Sequence, residues 1–167
     1  SFLDRGGHVY RTERCNCTNA ANHKWKRGSF MIIGVGHDIC DQRRIARLAA
    51  QFGDRFTKRV YSAAEQAELS LRQNRSAYLA GRFAVKEAVY KALSATDQAG
   101  MCWRHAQTLS SSAGAPVLSL SGACERGLNR LVPVGYRPNL HVSISDEPPY
   151  SSAFVVLSLS CGEGQET

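Results

Sequence analysis

A long helical pattern between Ser76 and Ser94 constrains the fold of this chain more than any other feature. Large apolar residues recur there at the three- and four-residue spacing of a helix, with small residues between them. A chain of 167 residues has room for one ordinary core, so we expect this helix to run through its centre. The large residues are Leu79, Phe83, Val89 and Leu93, and the small residues that allow close packing are Ala80, Ala84 and Ala88.

Strand and helix patterns flank this helix. Met31–Gly36 is an apolar run too short and too rich in glycine for a helix, so it predicts a buried strand. Ser62 followed by Glu65 forms a capping box, which predicts a helix to about Arg72. The order predicts a single α+β domain, in which a small mixed or antiparallel sheet packs on the long central helix. The other predicted elements are helices over 41–50 and 124–131, strands over 106–109, 117–121, 141–145 and 153–159, and a turn over 145–151.

Residues 1–30 differ from the body of the chain, which spans residues 31–160. They show no helical or alternating apolar pattern, and they contain six Lys/Arg against two Asp/Glu. We expect Met31 to be the native start, which makes residues 1–30 a non-native or disordered extension. A basic arm that binds a partner is the alternative interpretation. Residues 161–167 are expected to form a short C-terminal tail.

Composition excludes several classes of protein. Apolar residues make up 43% and charged residues 21%, which is ordinary for a globular protein, and a net charge of +7 suits an anionic ligand or an acidic partner. Without an apolar run of ~18 residues or a secretory signal pattern, we expect no membrane association. The six cysteines are too scattered for a disulfide scaffold, so we expect a reducing, cytoplasmic location. A standard zinc spacing is missing from the N-terminal group His8, Cys15, Cys17 and His23.

The first candidate site residue is Asp38, which follows the glycine-rich strand in Gly34-Val35-Gly36-His37-Asp38. A carboxylate at the carboxyl end of a buried strand lies where sheets commonly present ligands and metals. The spacing of the glycines fits neither a dinucleotide-binding fingerprint nor a phosphate-binding P-loop. On position alone, Asp38 is equally interpretable as the N-cap of the following helix.

The second candidate is a charged stretch of the long helix. Arg82, Lys86 and Tyr90 share one stripe, and Glu87 and Lys91 share the next. A Glu followed four residues later by a Lys is also an ordinary surface ion pair, worth only a few tenths of a kcal/mol. Three cations beside one carboxylate on a tightly packed helix favour instead a phosphorylated ligand together with a cation.

These motifs resemble holo-[acyl-carrier-protein] synthase, the small type of 4′-phosphopantetheinyl transferase. The resemblance covers about Met31 to Leu159, and its three blocks occur in the family's order and spacing. Residues 1–30 lie outside it. The three blocks are Ile33-Gly34-Val35-Gly36-His37-Asp38-Ile39, Gly81-Arg82-Phe83-Ala84-Val85-Lys86-Glu87-Ala88-Val89-Tyr90-Lys91-Ala92 and His141-Val142-Ser143-Ile144-Ser145-Asp146.

The resemblance implies an activity and its partners. Members of this family transfer the 4′-phosphopantetheine arm of coenzyme A to a serine of apo acyl carrier protein and release adenosine 3′,5′-bisphosphate. They require Mg²⁺ and form homotrimers with active sites between subunits. A non-catalytic relative that binds coenzyme A or the carrier is the alternative, although such a relative would not need Asp38, Glu87 and Lys91 together. A nucleic-acid-binding module is favoured only by residues 1–30, which lack stacking aromatic platforms.

The resemblance also implies roles for individual residues. Asp38 and Glu87 are expected to bind the metal ion, with Glu87 accepting the serine proton directly or through a metal-bound water. Lys91 is expected to hold a phosphate oxygen and to stabilise the leaving group, so that Asp38, Glu87 and Lys91 form the catalytic set. The residues expected to contact coenzyme A are Arg82, Lys86, Lys91, Gly114, Pro116 and His141. For Lys86 and Arg82, orientation of Glu87 is an alternative role, and for His141 a structural hydrogen bond is equally plausible.

Arg44 and Arg47 are the residues expected to dock the acidic carrier protein. Both lie on the predicted helix that follows Asp38, and they share a face with a spacing of three. An ordinary solvated helix face is the alternative. Two positions depart from the family pattern, because Ala115 replaces a usual lysine and His37 a usual apolar residue or threonine. We expect these changes to affect affinity rather than chemistry.

Overall fold

The computed structural model of the protein describes residues 31–161. Within this range, five helices and five strands form one domain, and the predicted α+β fold class is confirmed. A 3₁₀ turn at Trp103–His105 precedes the second strand. The elements in chain order are β1 Met31–Asp41, α1 Gln42–Phe52, α2 Asp54–Val60, α3 Ala63–Leu69, α4 Arg75–Ala92, β2 Ala106–Ser110, β3 Pro116–Leu120, α5 Gly122–Arg130, β4 Tyr136–Glu147 and β5 Tyr150–Cys161.

The strands form two antiparallel sheets. The larger sheet has the order β1-β5-β4, with β5 in the centre, and the smaller sheet pairs β2 with β3. The β4–β5 hairpin confirms the predicted pairing, but its strands extend further than predicted, so that the turn shrinks to Pro148-Pro149. Because side chains alternate between the two faces of β5, those of one face point into the core, namely Ala153, Val155, Leu157 and Leu159.

Helix α4 runs through the centre of the domain and packs on the inner face of the larger sheet. The closest approach is to β1. A Cβ added at Gly36 would lie 1.8 Å from the carbonyl oxygen of Ala88, and one added at Gly34 would lie 2.3 Å from that of Ala92. The glycines of the strand and the alanines of the helix therefore bring the two backbones into direct contact.

The N-cap of helix α1 is Asp41 and not Asp38. The Asp41 carboxylate accepts a hydrogen bond of 2.8 Å from the Arg43 N–H, and Asp41 is the N-cap. Asp38 lies three residues earlier, inside β1, where it pairs with Ala153. The interpretation of Asp38 as a helix cap is therefore wrong.

The predicted helix after Ser62 is present as α3, and both halves of its capping box form. Helix α2 was not predicted, because its seven residues carry only Phe56 and Val60 as large apolar residues and give no extended periodicity. No helix within residues 31–161 has the length and apolar character needed to cross a membrane. His8, Cys15, Cys17 and His23 lie outside the described residues.

Candidate active site

Asp38 and Lys91 form an ion pair between β1 and α4. The Lys91 Nζ lies 2.8 Å from Asp38 Oδ1 and also donates to the His37 carbonyl oxygen at 2.8 Å. Asp38 is mostly buried, whereas about half of the Lys91 side chain is exposed. The carboxylate is thus held firmly, while the ammonium group remains accessible from outside.

Glu87 lies on α4 one turn before Lys91, on the same side of the helix. β1 runs antiparallel to α4, because Gly34 meets Ala92 while Gly36 meets Ala88. One further step along the strand brings Asp38 beside the turn that contains Glu87. The Asp38 carboxylate thus contacts Lys91 directly, and Glu87 lies one helical turn from Lys91 on the same side of α4.

Trp103 is a partner of Glu87 that sequence reasoning missed. Its indole Nε1 donates a hydrogen bond of 2.7 Å to Glu87 Oε1. The two residues line a cavity of about 430 Å³ together with Arg59, Tyr90 and Arg104. Trp103 lies in a loop without apolar periodicity, so its position in the sequence gave no signal of this contact.

A second cavity of about 430 Å³ brings together three of the residues predicted to contact coenzyme A, namely Arg82, Gly114 and Pro116. Arg72 lines it as well and was not predicted. The guanidinium groups of both arginines lie over the Tyr78 ring, at 4.3 Å for Arg82 and 5.5 Å for Arg72. Within residues 31–161 the buried Nε of Arg82 has no hydrogen-bond partner, so this group has a donor to offer an anion.

Glu68 organises the two arginines of this cavity. Its carboxylate forms an ion pair with Arg72 and lies 3.9 Å from the Arg82 guanidinium. Burial of Glu68 favours its neutral form, but hydrogen bonds from Ser110 and Arg72 outweigh burial and lower its pKa to about 2. Asp146 also lines the cavity, so carboxylates and guanidinium groups are interleaved around it.

Lys86 does not lie at either cavity. Its side chain is 0% exposed, and its Nζ lies 2.8 Å from Glu65 Oε2 inside the core. Burial lowers the pKa of Lys86, and the nearby Glu65 carboxylate opposes this effect. The predicted contact with a coenzyme A phosphate is therefore corrected to a structural ion pair, and Glu87 is not its partner.

His141 lies on β4, on the face of the larger sheet that points away from α4, together with Ser143 and Ser145. Its Nε2 forms a hydrogen bond of 3.1 Å with Ser158 Oγ. The structural bond that the sequence left as an alternative is thus present, while the ring remains exposed.

The predicted site residues form two separate groups within one chain. Asp38, Glu87 and Lys91 border one side of α4, whereas Arg82 faces the cavity with Gly114 and Pro116. Arg82 and Glu87 are five positions apart, which places them ~140° apart around a helix of 3.6 residues per turn. Within residues 31–161, Arg82 and Glu87 therefore line different cavities.

The predicted docking arginines are exposed on α1. The Arg44 guanidinium lies 5.5 Å from the centre of the Phe83 ring and contacts Cys40 Sγ at 3.8 Å. Arg43 instead forms an ion pair of 2.8 Å with Asp41. Arg44 and Arg47 thus present positive charge beside the Asp38 end of β1.

The donor set at Asp38 and Glu87 fits a magnesium ion. Carboxylate oxygens are hard ligands, and Mg²⁺ is commonly held by one or two carboxylates while substrate phosphates and waters complete its shell. Across residues 31–161 no three His, Cys, Asp or Glu side chains cluster in a way that could enclose a metal. A pair of carboxylates next to an exposed lysine is consistent with an ion bound together with a phosphorylated substrate.

Comparison with known proteins places the chain in a family. Residues 34–130 match the 4′-phosphopantetheinyl transferase superfamily. Over 127 residues the chain is 46% identical to a holo-[acyl-carrier-protein] synthase of Methylobacterium sp. (strain 4-46), which covers 76% of this chain and 94% of that protein.

Solved structures show the same relationship. The crystal structure of holo-[acyl-carrier-protein] synthase from Neisseria meningitidis has a TM-score of 0.66 and 32% identity, and covers 76% of this chain and 98% of that one. The Helicobacter pylori holo-[acyl-carrier-protein] synthase in complex with coenzyme A has a TM-score of 0.61 and 27% identity, with 74% and 98% covered. The chain belongs to the 4′-phosphopantetheinyl transferase superfamily, within its holo-[acyl-carrier-protein] synthase family.

Proposed function

We propose that this chain transfers the 4′-phosphopantetheine arm of coenzyme A to a serine of apo acyl carrier protein. The serine oxygen attacks the phosphorus that bears the pantetheine arm, and the bond from that phosphorus to the bridging oxygen of the pyrophosphate breaks. Adenosine 3′,5′-bisphosphate leaves. The observation that carries the proposal is the ion pair of Asp38 with Lys91, which lies one helical turn from Glu87 on the same side of α4.

Asp38 and Glu87 are the residues that would hold Mg²⁺. When bound, this ion would offset the negative charge that develops on the pyrophosphate oxygens. The ion pair with Lys91 holds the Asp38 carboxylate in place before substrate arrives. These features support a metal-dependent reaction at this turn.

Glu87 and Lys91 have separate roles in the reaction: Glu87 accepts a proton, and Lys91 stabilises negative charge. Glu87 accepts the proton of the attacking serine hydroxyl, a role in which a positioned carboxylate typically contributes 10²-fold or more to the rate. Lys91 holds a phosphate oxygen with its exposed ammonium group and stabilises the departing bisphosphate. Both roles are supported by the accessibility of Lys91 and by the fixed orientation of Glu87.

Coenzyme A is held at a site assembled from two subunits of a homotrimer. Arg82, Gly114 and Pro116 of one subunit bind its phosphates, while Asp38 and Glu87 of the next act on the pyrophosphate. The separation of these two groups around α4 within one chain supports this arrangement. His141 is exposed on the face of the larger sheet that points away from α4, so it contacts a ligand that reaches this outer face.

The outer face of the larger sheet supports the assembly of subunits. It exposes a band of apolar side chains with Val35 at 49%, Ile39 at 59% and Phe154 at 46% of their full accessible area. The register of β1 and β5 pairs Phe154 with His37 on the face opposite α4, so that Phe154 lies diagonally across from Val35 and Ile39. A contiguous exposed apolar patch of this kind is typical of a surface that contacts another protein.

Exposed arginines on α1 and free cysteines support a carrier partner and a cytoplasmic location. Arg44 and Arg47 dock the acidic surface of the carrier protein, since exposed charges of this kind steer association. The four cysteines within residues 31–161 are all free thiols, which suits the reducing cytoplasm.

A mass measurement tests the reaction directly. Apo acyl carrier protein is incubated with the enzyme, coenzyme A and Mg²⁺, and the carrier is then weighed. A gain of one phosphopantetheine arm that a chelator abolishes supports the proposal. No gain, with coenzyme A still bound, supports the alternative of a non-catalytic relative, and no binding contradicts both.

Subunit complementation tests the shared site. Glu87→Gln and Arg82→Ala chains with different tags are coexpressed, and mixed oligomers are purified through both tags. If each site uses residues from two subunits, every mixed trimer has one intact site in three, so mixed oligomers recover about a third of the wild-type rate at limiting coenzyme A, while each parent oligomer stays nearly inactive. Mixed oligomers as inactive as their parents would contradict a shared site.

A further inference from the structure

We propose that Trp103 is a positioning residue for the metal-binding carboxylate of Glu87. This inference rests on the proposed function, because it assigns a role through Glu87. The carboxylate has two oxygens, and the indole Nε1 binds one of them, Oε1, at 2.7 Å. Because this hydrogen bond restricts rotation of the carboxylate, the direction of its other oxygen, Oε2, is fixed as well.

The chemistry of the indole suits this role. Its N–H is a donor without an acceptor and does not ionise near neutral pH. It therefore binds the charged carboxylate at any working pH and does not compete with it for a cation. Hydrogen bonds from such outer partners to metal-binding carboxylates typically change metal affinity or activity by 10- to 100-fold when removed.

The position of the Trp103 ring is fixed by an aromatic contact and by the turn that carries it. Its centroid lies 6.1 Å from that of Phe83, which lies on α4 one turn before Glu87. The turn that carries Trp103 is closed by a hydrogen bond of 2.9 Å from the His105 N–H to the Cys102 carbonyl oxygen. Contact with the helix and closure of the turn together fix the direction of the indole N–H.

Helix α5 stabilises the same turn. The Cys102 N–H donates to His105 Nδ1 at 3.2 Å, and the His105 ring packs against the first residue of α5, Gly122. A Cβ at Gly122 would lie 2.6 Å from His105 Nε2, and Gly122 has a φ of +54°. Glycine at this position therefore leaves room for the imidazole that fixes the turn.

The test compares two variants of the aromatic pair in the full-length enzyme. Trp103→Phe removes the N–H but keeps a ring against Phe83, and Phe83→Leu weakens the ring contact but keeps the N–H. We expect Trp103→Phe to raise the Mg²⁺ concentration for half-maximal activity by about tenfold or more. Phe83→Leu is expected to raise it by less than about threefold, and Trp103→Phe leaves the KM for the carrier protein unchanged.

A binding measurement gives a readout independent of turnover. The only other tryptophan is Trp25, so Trp25→Phe leaves Trp103 as the sole indole fluorophore. Mn²⁺ used as a paramagnetic probe should quench this emission with saturation, and Glu87→Gln should abolish the saturable part. By calorimetry, Trp103→Phe should bind Mn²⁺ about tenfold more weakly than wild type while its thermal unfolding midpoint stays within a few degrees.

Two outcomes separate the inference from the function on which it rests. If wild type is active and Mg²⁺-dependent but Trp103→Phe has the wild-type metal dependence, Trp103 is not a positioning residue and the proposed function stands. If wild type itself transfers no phosphopantetheine, the proposed function fails. A loss of Mg²⁺ affinity in Phe83→Leu equal to that in Trp103→Phe would assign the effect to ring packing instead of the N–H.

Discussion

The ammonium group of Lys86 lies 2.8 Å from the Glu65 carboxylate, and both side chains are completely buried. Glu65 also accepts hydrogen bonds from the backbone N–H groups of Ser62 and Thr108. This carboxylate therefore connects α3, α4 and β2 at one point. Charges at such depth require a partner, because burial of an isolated ion costs several kcal/mol.

We predict that Lys86→Met destabilises the fold by about 3–5 kcal/mol, since it leaves the Glu65 carboxylate buried without its counter-ion. Denaturant unfolding followed by circular dichroism measures the loss. Lys58→Met is the control, because its ion pair with Asp54 is exposed and is worth less than about 1 kcal/mol. A folded Lys86→Met with normal stability and a raised KM for coenzyme A would restore a ligand-binding role.

The position of Lys86 shows where sequence reasoning reaches its limit. On a helical stripe between Arg82 and Tyr90, a lysine is most simply expected at the surface. Its partner Glu65 was already explained as the third residue of a capping box, a role that the structure confirms. Nothing in the spacing indicates that this carboxylate has a second partner 21 residues along the chain.

The candidate catalytic residues that lie near one another in the structure carry a local signal in the sequence. Glu87 and Lys91 are four apart on a strong helix, and Gly34 and Gly36 indicate the close approach that puts Asp38 beside them. Trp103 carries no such signal, because its contact with Glu87 depends on how a loop returns to the helix. The division of the candidate site into two groups was also not predicted from the sequence. It depends on the angle between Arg82 and Glu87 around the axis of α4, and on tertiary contacts.

The contact between Gly36 and α4 gives a second prediction. A methyl group there would lie 1.8 Å from the Ala88 carbonyl oxygen, which is backbone and cannot rotate away. We expect Gly36→Ala to destabilise the protein by at least about 3 kcal/mol, the upper range of overpacking costs. Gly81→Ala is the control, because its methyl group would meet only side-chain atoms, at 3.1 Å from Ile144 Cγ2 and 3.7 Å from Asp146 Oδ1. Equal unfolding midpoints in denaturant for the two variants would contradict the close approach.

The low pKa of Glu68 predicts a pH dependence of stability. The pKa is about 2 in the folded protein against an ordinary value of 4.5, so ionised Glu68 stabilises the folded state. This contribution is complete above about pH 4.5 and is lost as the pH falls towards 2. The difference in free energy of unfolding between wild type and Glu68→Gln should therefore shrink over this range. A difference that stays constant from pH 7 to pH 2.5 would contradict the assignment.

Glu87→Gln tests the proposed catalytic carboxylate. An amide keeps the size of the side chain and can still accept the Trp103 hydrogen bond, so the fold is preserved. It has lost the charge that binds the cation and the basicity that accepts the serine proton. We expect Mg²⁺-dependent turnover to fall by 10²-fold or more, with an unchanged circular dichroism spectrum. Retention of more than about a tenth of the rate would exclude the assigned role.

Arg44 provides the last prediction, which concerns the carrier protein. Its guanidinium is exposed and lies on α1 near the Asp38 end of β1, so it faces the approach of an acidic partner to the proposed site. We expect Arg44→Ala to raise the KM for acyl carrier protein by several-fold and to leave the KM for coenzyme A within about twofold of wild type. Because exposed charges act mainly on association, the effect should diminish as salt is added.

The matched control for Arg44 is its neighbour on α1. Arg43 also carries a positive charge, but Asp41 neutralises it through an ion pair of 2.8 Å. Arg43→Ala should therefore change the KM for the carrier by less than Arg44→Ala does, at every salt concentration. Steady-state kinetics with each substrate varied in turn, at low and high salt, measures both variants. If Arg44→Ala raised both KM values equally, the loss would lie in the packing of its guanidinium on Phe83, and α1 would not be the docking surface.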